Sequence, residues 1–299
     1  MNRFETWGEI QNRPIRPVEF WMDGLIPKGG KVLLFGKYGT YKTPITLNMA
    51  AAIASTRSEL WGLPIQNGNV LYISADTPMP VLEPRIQRCD IRDTNLVVYN
   101  ASNGLDLLDP NRNELDREIY SELQAAHRNQ HYDVVFIDSL RCIHKLPDKD
   151  SDAPLRVYTA VERLFPDASL VFVHHDRKTS ALEASAANAD EVDKESFSGS
   201  QAWINHATVG IKIKGVNQDK REIKLQATKS QAGELMPGLL LVADSDGINI
   251  ELATLQKAGL YAQVVASAPV ELLGHELDEW VAKQLGIGPR TARRYRLQK

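Results

Sequence analysis

Lys31-Val-Leu-Leu-Phe35 leads directly into Gly36-Lys37-Tyr38-Gly39-Thr40-Tyr41-Lys42-Thr43, and the chain then continues through an Ala-rich stretch to Ser55. The short, continuous apolar run predicts a buried strand, and Lys42–Ser55 predicts a helix. The octet between them follows the phosphate-cradling pattern G-x-x-x-x-G-K-[ST] except at Tyr41, which stands where a second Gly is usual. Gly36 and Gly39 allow the backbone to curl so that successive amides face an anion. Lys37, Tyr38, Thr40 and Tyr41 complete the loop expected to hold ATP, with Lys37 at its entrance. Lys42 can reach the β- and γ-phosphates, Thr43 offers a hydroxyl to Mg²⁺, and the helix N-terminus adds its dipole. Pro44 withdraws one amide but is sterically tolerated in a first helical turn. The plainer alternative is a Gly-rich strand-to-helix turn with an incidental Lys-Thr.

The rest of the chain fits this unit. Asn69–Ser74, Asp133–Ile137, Ser169–Val173 and, more weakly, Asn95–Tyr99 are further β-branched apolar runs. Helical stretches at Met79–Arg88, Arg112–Asn129 and Ala153–Leu164 alternate with them. The alternation predicts βαβ units: an α/β fold with a mostly parallel, twisted sheet covered by helices on both faces. After Val173, Asp176–Ser196 is polar and unperiodic and reads as a long loop. Thr208–Lys214 and Glu222–Thr228 then predict an antiparallel hairpin that extends the sheet, with Leu239–Ala243 as one more strand.

A phosphate loop needs a partner acid for the metal. Asp133-Val-Val-Phe-Ile-Asp138 supplies one, an apolar run ending in a carboxylate at a strand's carboxyl end, so Thr43 and Asp138 are the expected metal residues. An aspartate that merely caps a strand end is the alternative. Asp76 follows the strand ending at Ser74, at the edge where open α/β sheets bind ligands. It either orients and deprotonates the attacking water or caps the helix after Pro78. His174-His175 closes the strand Leu170–Val173, and either touches the γ-phosphate or forms a hydrogen-bonded pair at the strand end.

Composition narrows the setting. At 299 residues, and about 150 residues per domain, one or two domains are expected. With 35 Lys+Arg against 38 Asp+Glu the net charge is −3, so any nucleic-acid contact must come from a local patch. The two cysteines, Cys89 and Cys142, provide no disulfide framework. No leader-like apolar segment opens the sequence and no run is long enough to span a membrane, so a cytoplasmic protein with no membrane partner is expected.

In this order the motifs resemble the RecA-type ATPases of the RepA-like branch, the hexameric replicative helicases of plasmids and phages. The resemblance rests on the approach segment Pro17–Gly30, the phosphate loop, Gly68–Asp76, Phe136–Arg141, Val171–His175 and Ser198–Trp203, and covers about residues 15–245. It implies a RecA-like P-loop NTPase core over residues 1–250, ATP and Mg²⁺ as cofactors, and a ring-shaped homo-oligomer, a hexamer in the family. Single-stranded DNA is its implied partner, in the ring channel. Asp76 falls on the family's catalytic glutamate and His175 on its γ-phosphate sensor. The family completes each ATP site with a basic finger from the neighbouring subunit. The places to seek it are Lys224 and Lys229, with Arg221 just before. The two channel-facing loops correspond to His144–Asp152 and Asp176–Ser196. In the second, Arg177 and Lys178 are the plausible DNA-phosphate contacts, although Glu183, Asp190, Glu191, Asp193 and Glu195 leave it net acidic.

Residues 251–299 predict a small helical domain. Leu277–Leu285, the turn Gly286-Ile-Gly288 and a segment from Pro289 to Leu297 resemble a helix-turn-helix. Its Arg290, Arg293 and Arg294 form a basic patch suited to duplex DNA. The same tail could instead serve oligomerisation. Two other functional classes fit the sequence: a non-motor ATP-dependent DNA-binding or recombination ATPase, and a DNA-binding regulator with a degenerate ATPase core.

Overall fold

The computed structural model describes residues 4–92, 94–101, 105–108, 114–146, 152–175, 198–253, 264–266, 268–269, 272–285 and 293. In chain order the elements are α1 (Trp7–Gln11), β1 (Phe20–Met22), β2 (Ile26–Pro27), β3 (Lys31–Gly36), α2 (Lys42–Ile53), β4 (Glu59–Leu60), β5 (Leu63–Pro64), β6 (Val70–Ser74) and α3 (Met79–Arg88). Next come β7 (Val97–Asn100), α4 (Glu114–Gln130), β8 (Val134–Asp138), a 3₁₀ turn (Leu140–Ile143), α5 (Ala153–Leu164) and β9 (Ser169–His175). The series ends with α6 (Ser198–His206), β10 (Val209–Asn217), β11 (Glu222–Ser230), β12 (Leu239–Ala243), β13 (Ile250–Leu252) and α7 (Gly274–Leu285).

A nine-stranded sheet dominates, in the order β13-β12-β11-β10-β3-β9-β8-β6-β7. From β10 to β7 every neighbouring pair is parallel, and β11, β12 and β13 continue the sheet antiparallel. The phosphate-loop strand β3 is separated from the acid-bearing strand β8 by β9, and β6 and β7 lie beyond β8. This is the RecA-like arrangement. The sheet runs on to Leu252, so β13 crosses the boundary expected at residue 250.

Both faces of the central strands are buried, which explains their unbroken apolar runs. Val32 and Leu34 pack with Ile45, Met49 and Ile53 of α2, while Leu33 and Phe35 pack with Val157, Val161 and Leu164 of α5 and Trp203 of α6. Each such side chain stabilises the fold by about 1.5–3 kcal/mol. A one-residue slip would exchange the two faces, so the packing fixes the register. In that register Gly36 stands beside His175, Ser74 beside Asp138, and Asp138 beside Val173. Parallel strands of matched length thus bring the phosphate loop, Asp76, Asp138 and His175 to one edge.

In the C-terminal region, α7 buries Val281 and Ala282 against Val264, Val265, Leu277 and Trp280. Arg293 is exposed. Arg177, Lys178, Arg290 and Arg294 lie outside the described residues, as does most of the second helix of the expected helix-turn-helix.

Candidate active site

The phosphate loop leaves β3 at Gly36, whose side-chain space is taken by the neighbouring strand: a Cβ there would stand 2.3 Å from the Ile213 carbonyl oxygen of β10. Gly36 is therefore required by close approach of β10, whereas the curl itself comes from Gly39 (φ 77) and Tyr41 (φ 59). Tyr41 adopts the left-handed conformation that a glycine would supply at the start of α2. Its ring lies against the β12–β13 turn, where a Cβ on Gly247 (φ 70) would come within 3.0 Å of Tyr41 Cε1. Thr40 Oγ1 closes the loop by donating to the Lys37 carbonyl at 2.8 Å. The Lys42 ammonium, almost fully buried, donates to the carbonyls of Gly36 (2.9 Å) and Lys37 (2.6 Å).

The metal pair meets directly: Thr43 Oγ1 donates to Asp138 Oδ2 at 2.6 Å. Tyr72 donates to the same oxygen at 2.8 Å and lies 3.0 Å from Thr46 Oγ1. Asp138 Oδ1 is buried and has no hydrogen-bond partner among the described residues. Burial and then the nearby Asp76 charge push the Asp138 carboxyl above its ordinary range, against the hydroxyls of Thr43 and Tyr72, which favour the ion.

Asp76 sits on the turn after β6. Ser74 Oγ and Asn100 Nδ2 both donate to the Thr77 carbonyl, and the Ala75 amide donates to the Asp138 carbonyl, so this turn is tied to the strand ends on either side. The residue preceding α3 is Pro78 and no side chain caps that helix. Asp76 instead accepts from Thr77 Oγ1 at 3.1 Å and faces His175 Nε2 at 3.7 Å. His175, more than Thr77, holds the Asp76 carboxyl below the usual carboxylate range, against the opposing effect of burial. The two carboxylates are thus driven in opposite directions, a common arrangement where two acids have different tasks. His174 points elsewhere, with its ring 6.0 Å from Trp203, which also stacks on His144 at 5.5 Å.

Tyr38 to Pro44, Asp76, Thr77 and His175 line one cavity of about 770 Å³. Its remaining walls were not anticipated as such: Arg85 and Arg88 from the last turn of α3, Arg221 from the β10–β11 turn, and residues 245–248. An i, i+3 pair of arginines on the helix after Asp76 is the sequence signal for the first two. Arg88 Nη1 reaches Asp246 Oδ2 at 3.6 Å across the cavity rim, an exposed pair of little energetic weight.

The two finger candidates part company. Lys224 is exposed on β11, opposite Lys214 in the ladder. Lys229 spends all three donors on the end of α6, bonding the carbonyls of Ile204 (3.0 Å), Asn205 (2.7 Å) and Ala207 (2.7 Å). The expectation that Lys229 reaches a neighbour's phosphate is therefore corrected: it caps a helix C-terminus, where a cation is favourable. Replacing it, as Lys229→Met, is expected to lower the melting temperature by roughly 2–4 °C, for a loss of about 1 kcal/mol. Turnover per folded molecule should be unchanged. Loss of turnover at unchanged melting temperature would restore the finger role.

The family described as an AAA domain matches residues 2–181. No curated protein sequence matches the chain. Among solved structures, one described as the ATPase domain of a larger protein aligns at 10% identity and a TM-score of 0.49, covering 76% of this chain and 86% of that one. Lys42, Thr43, Asp76, Asp138 and His175 all fall inside the matched residues 2–181, and the chain belongs to the AAA domain family.

Proposed function

We propose that the protein is a Mg-ATP-hydrolysing DNA helicase or translocase, working as a ring-shaped homo-oligomer, a hexamer, in the cytoplasm during replication of a plasmid, phage or other mobile element. The observation that carries hydrolysis is the convergence on one cavity of the Lys42 loop, the Thr43–Asp138 pair and the Asp76–His175 pair. The donor set suits Mg²⁺: hard oxygen ligands, with Asp138 Oδ1 buried and unpartnered among the described residues. Thr43 and Asp138 would hold it. Bound Mg²⁺ supplies positive charge to the β- and γ-phosphate oxygens. Lys42 neutralises charge developing on the same oxygens, and the loop amides hold the phosphates in line. Asp76, kept ionised by His175, orients the attacking water and takes its proton.

The ring, the single-stranded DNA in its channel and the motor activity rest on the family resemblance of the motifs. In this reading Arg177 and Lys178 meet the strand, Lys224 faces a neighbouring subunit's site, and Arg290, Arg293 and Arg294 contact duplex. Among the described residues no helix is long and apolar enough to cross a membrane. The test is ATP turnover measured with and without single-stranded DNA, alongside displacement of a labelled strand from a forked duplex. Turnover should rise with protein concentration as rings assemble, and with DNA, and strand displacement should require ATP. A second reading has one observation in its favour, the net acidic character of Asp176–Ser196. It is an ATPase that assembles on DNA and uses ATP as a switch. DNA-stimulated turnover with no strand displacement would select it, and absence of turnover would leave only the regulator.

A further inference from the structure

We propose that Tyr72 is a positioning residue for the metal, fixing the rotation of the Asp138 carboxylate so that one oxygen faces the cation. The inference rests on the Mg-ATP reading above and adds a residue to that site. Tyr72 is the central residue of β6, fully buried, with its ring stacked on Phe136 at a centroid distance of 6.1 Å. Its neighbours on that face include Val70, Val134 and Val171. A phenylalanine would fill the same space without burying a hydroxyl, and an unbonded buried hydroxyl is costly. Here the hydroxyl is fully used.

Tyr72 donates to Asp138 Oδ2 and meets Thr46 Oγ1, while Thr43 donates to Asp138 Oδ2 from the other side. Thr43 and Thr46 lie three residues apart on α2, so they share a face of that helix. The four side chains close a circuit from α2 through β6 and β8 and back to α2. Two donors on Oδ2 leave the carboxylate little rotational freedom, and this directs Oδ1, buried and without a partner among the described residues, at one place. The phenol stays a neutral donor, because burial and the adjacent Asp138 charge hold its ionisation well above the ordinary range. Groups that orient a metal ligand commonly change metal affinity by about 10–100-fold when removed.

The experiment is a Mg²⁺ titration of fluorescent ATP-analogue binding, on wild type and Tyr72→Phe, each also measured in EDTA. Tyr72→Phe should bind the metal-free analogue within about twofold of wild type, while the Mg²⁺ concentration for half-maximal effect rises about tenfold or more. Binding of both forms weakened equally would mean general damage to the loop, and would overturn the proposal. An unchanged Mg²⁺ titration in the folded variant, with wild type responding normally, overturns Tyr72 alone. A wild type whose analogue binding ignores Mg²⁺ overturns the Mg-ATP reading as well. If Tyr72→Phe does not fold, Thr46→Val leaves the Tyr72–Asp138 bond but releases the phenol from α2. It should show a smaller rise in the same direction, and no rise overturns the proposal.

Discussion

Lys42→Ala protein is expected to hydrolyse ATP at a hundredth of the wild-type rate or less, the scale seen when one preorganised charge-stabilising donor is removed, about 10²–10³-fold. Lys42 is buried at the loop's floor with its ammonium held by the Gly36 and Lys37 carbonyls, so its position is set before any phosphate arrives. Of the lysines in the loop, Lys37 is exposed and cannot substitute. Removing Lys42 also strips two carbonyls of a donor, so the melting temperature must be followed beside the rate. Lys42→Met, which keeps the apolar stem and loses only the charge, separates the two effects. The Met variant should lose turnover as fully as the Ala variant while remaining closer to wild type in stability. Turnover retained by a folded Met variant would remove Lys42 from the mechanism, and with it the ATPase assignment.

The features that made this site legible are those in which a residue type has few other uses. The apolar runs of β3, β6, β8 and β9 are buried on both faces, and helices α3 and α5 occupy the expected residues, Met79–Arg88 and Ala153–Leu164. Other parts depend on conformations that composition conceals. The β4–β5 hairpin turns through Trp61 (φ 56) and Gly62 (φ 78), two left-handed residues in a tight turn for which Asn-Gly is the usual signal. Trp61 is retained there because its indole donates to the Ile250 carbonyl at 2.8 Å from inside the core. Tyr41 is the same case at the active site: the sequence shows a missing glycine, and the backbone has the glycine conformation regardless. Helix α6, Ser198-Gly-Ser-Gln-Ala-Trp-Ile-Asn-His206, lacks a strong apolar period and depends on Trp203, Ile204 and the Lys229 cap. Neither Lys229 nor Arg221 reveals its assignment by type. One is drawn to a helix end and the other to the cavity wall, and only the register of β10 on β11 decides which.

Asp76→Asn is expected to lower turnover by about 10²-fold or more, the range for loss of a general base, with nucleotide affinity retained. The competing role, a helix cap, makes the opposite forecast, since Asn caps about as well as Asp and turnover would survive. The melting temperature should move by no more than roughly 1–2 °C, because the side chain is half-buried and its one hydrogen bond, from Thr77, has an acceptor in Asn as well. The pH profile supplies an independent check. His175 is the largest influence lowering the Asp76 carboxyl, so in wild type the acid limb due to Asp76 lies below the usual carboxylate range. Asp76 must be ionised to accept a proton, and rate is lost only as pH falls through that depressed value. Replacing the imidazole, as His175→Ala, removes the main cause of the depression, and the Asp76 limb should move to higher pH. In Asp76→Asn that limb should vanish and the residual rate should be flat through the same acid window. An acid limb that stays in place in both variants would assign it to another group, and the base would have to be sought elsewhere on the cavity wall.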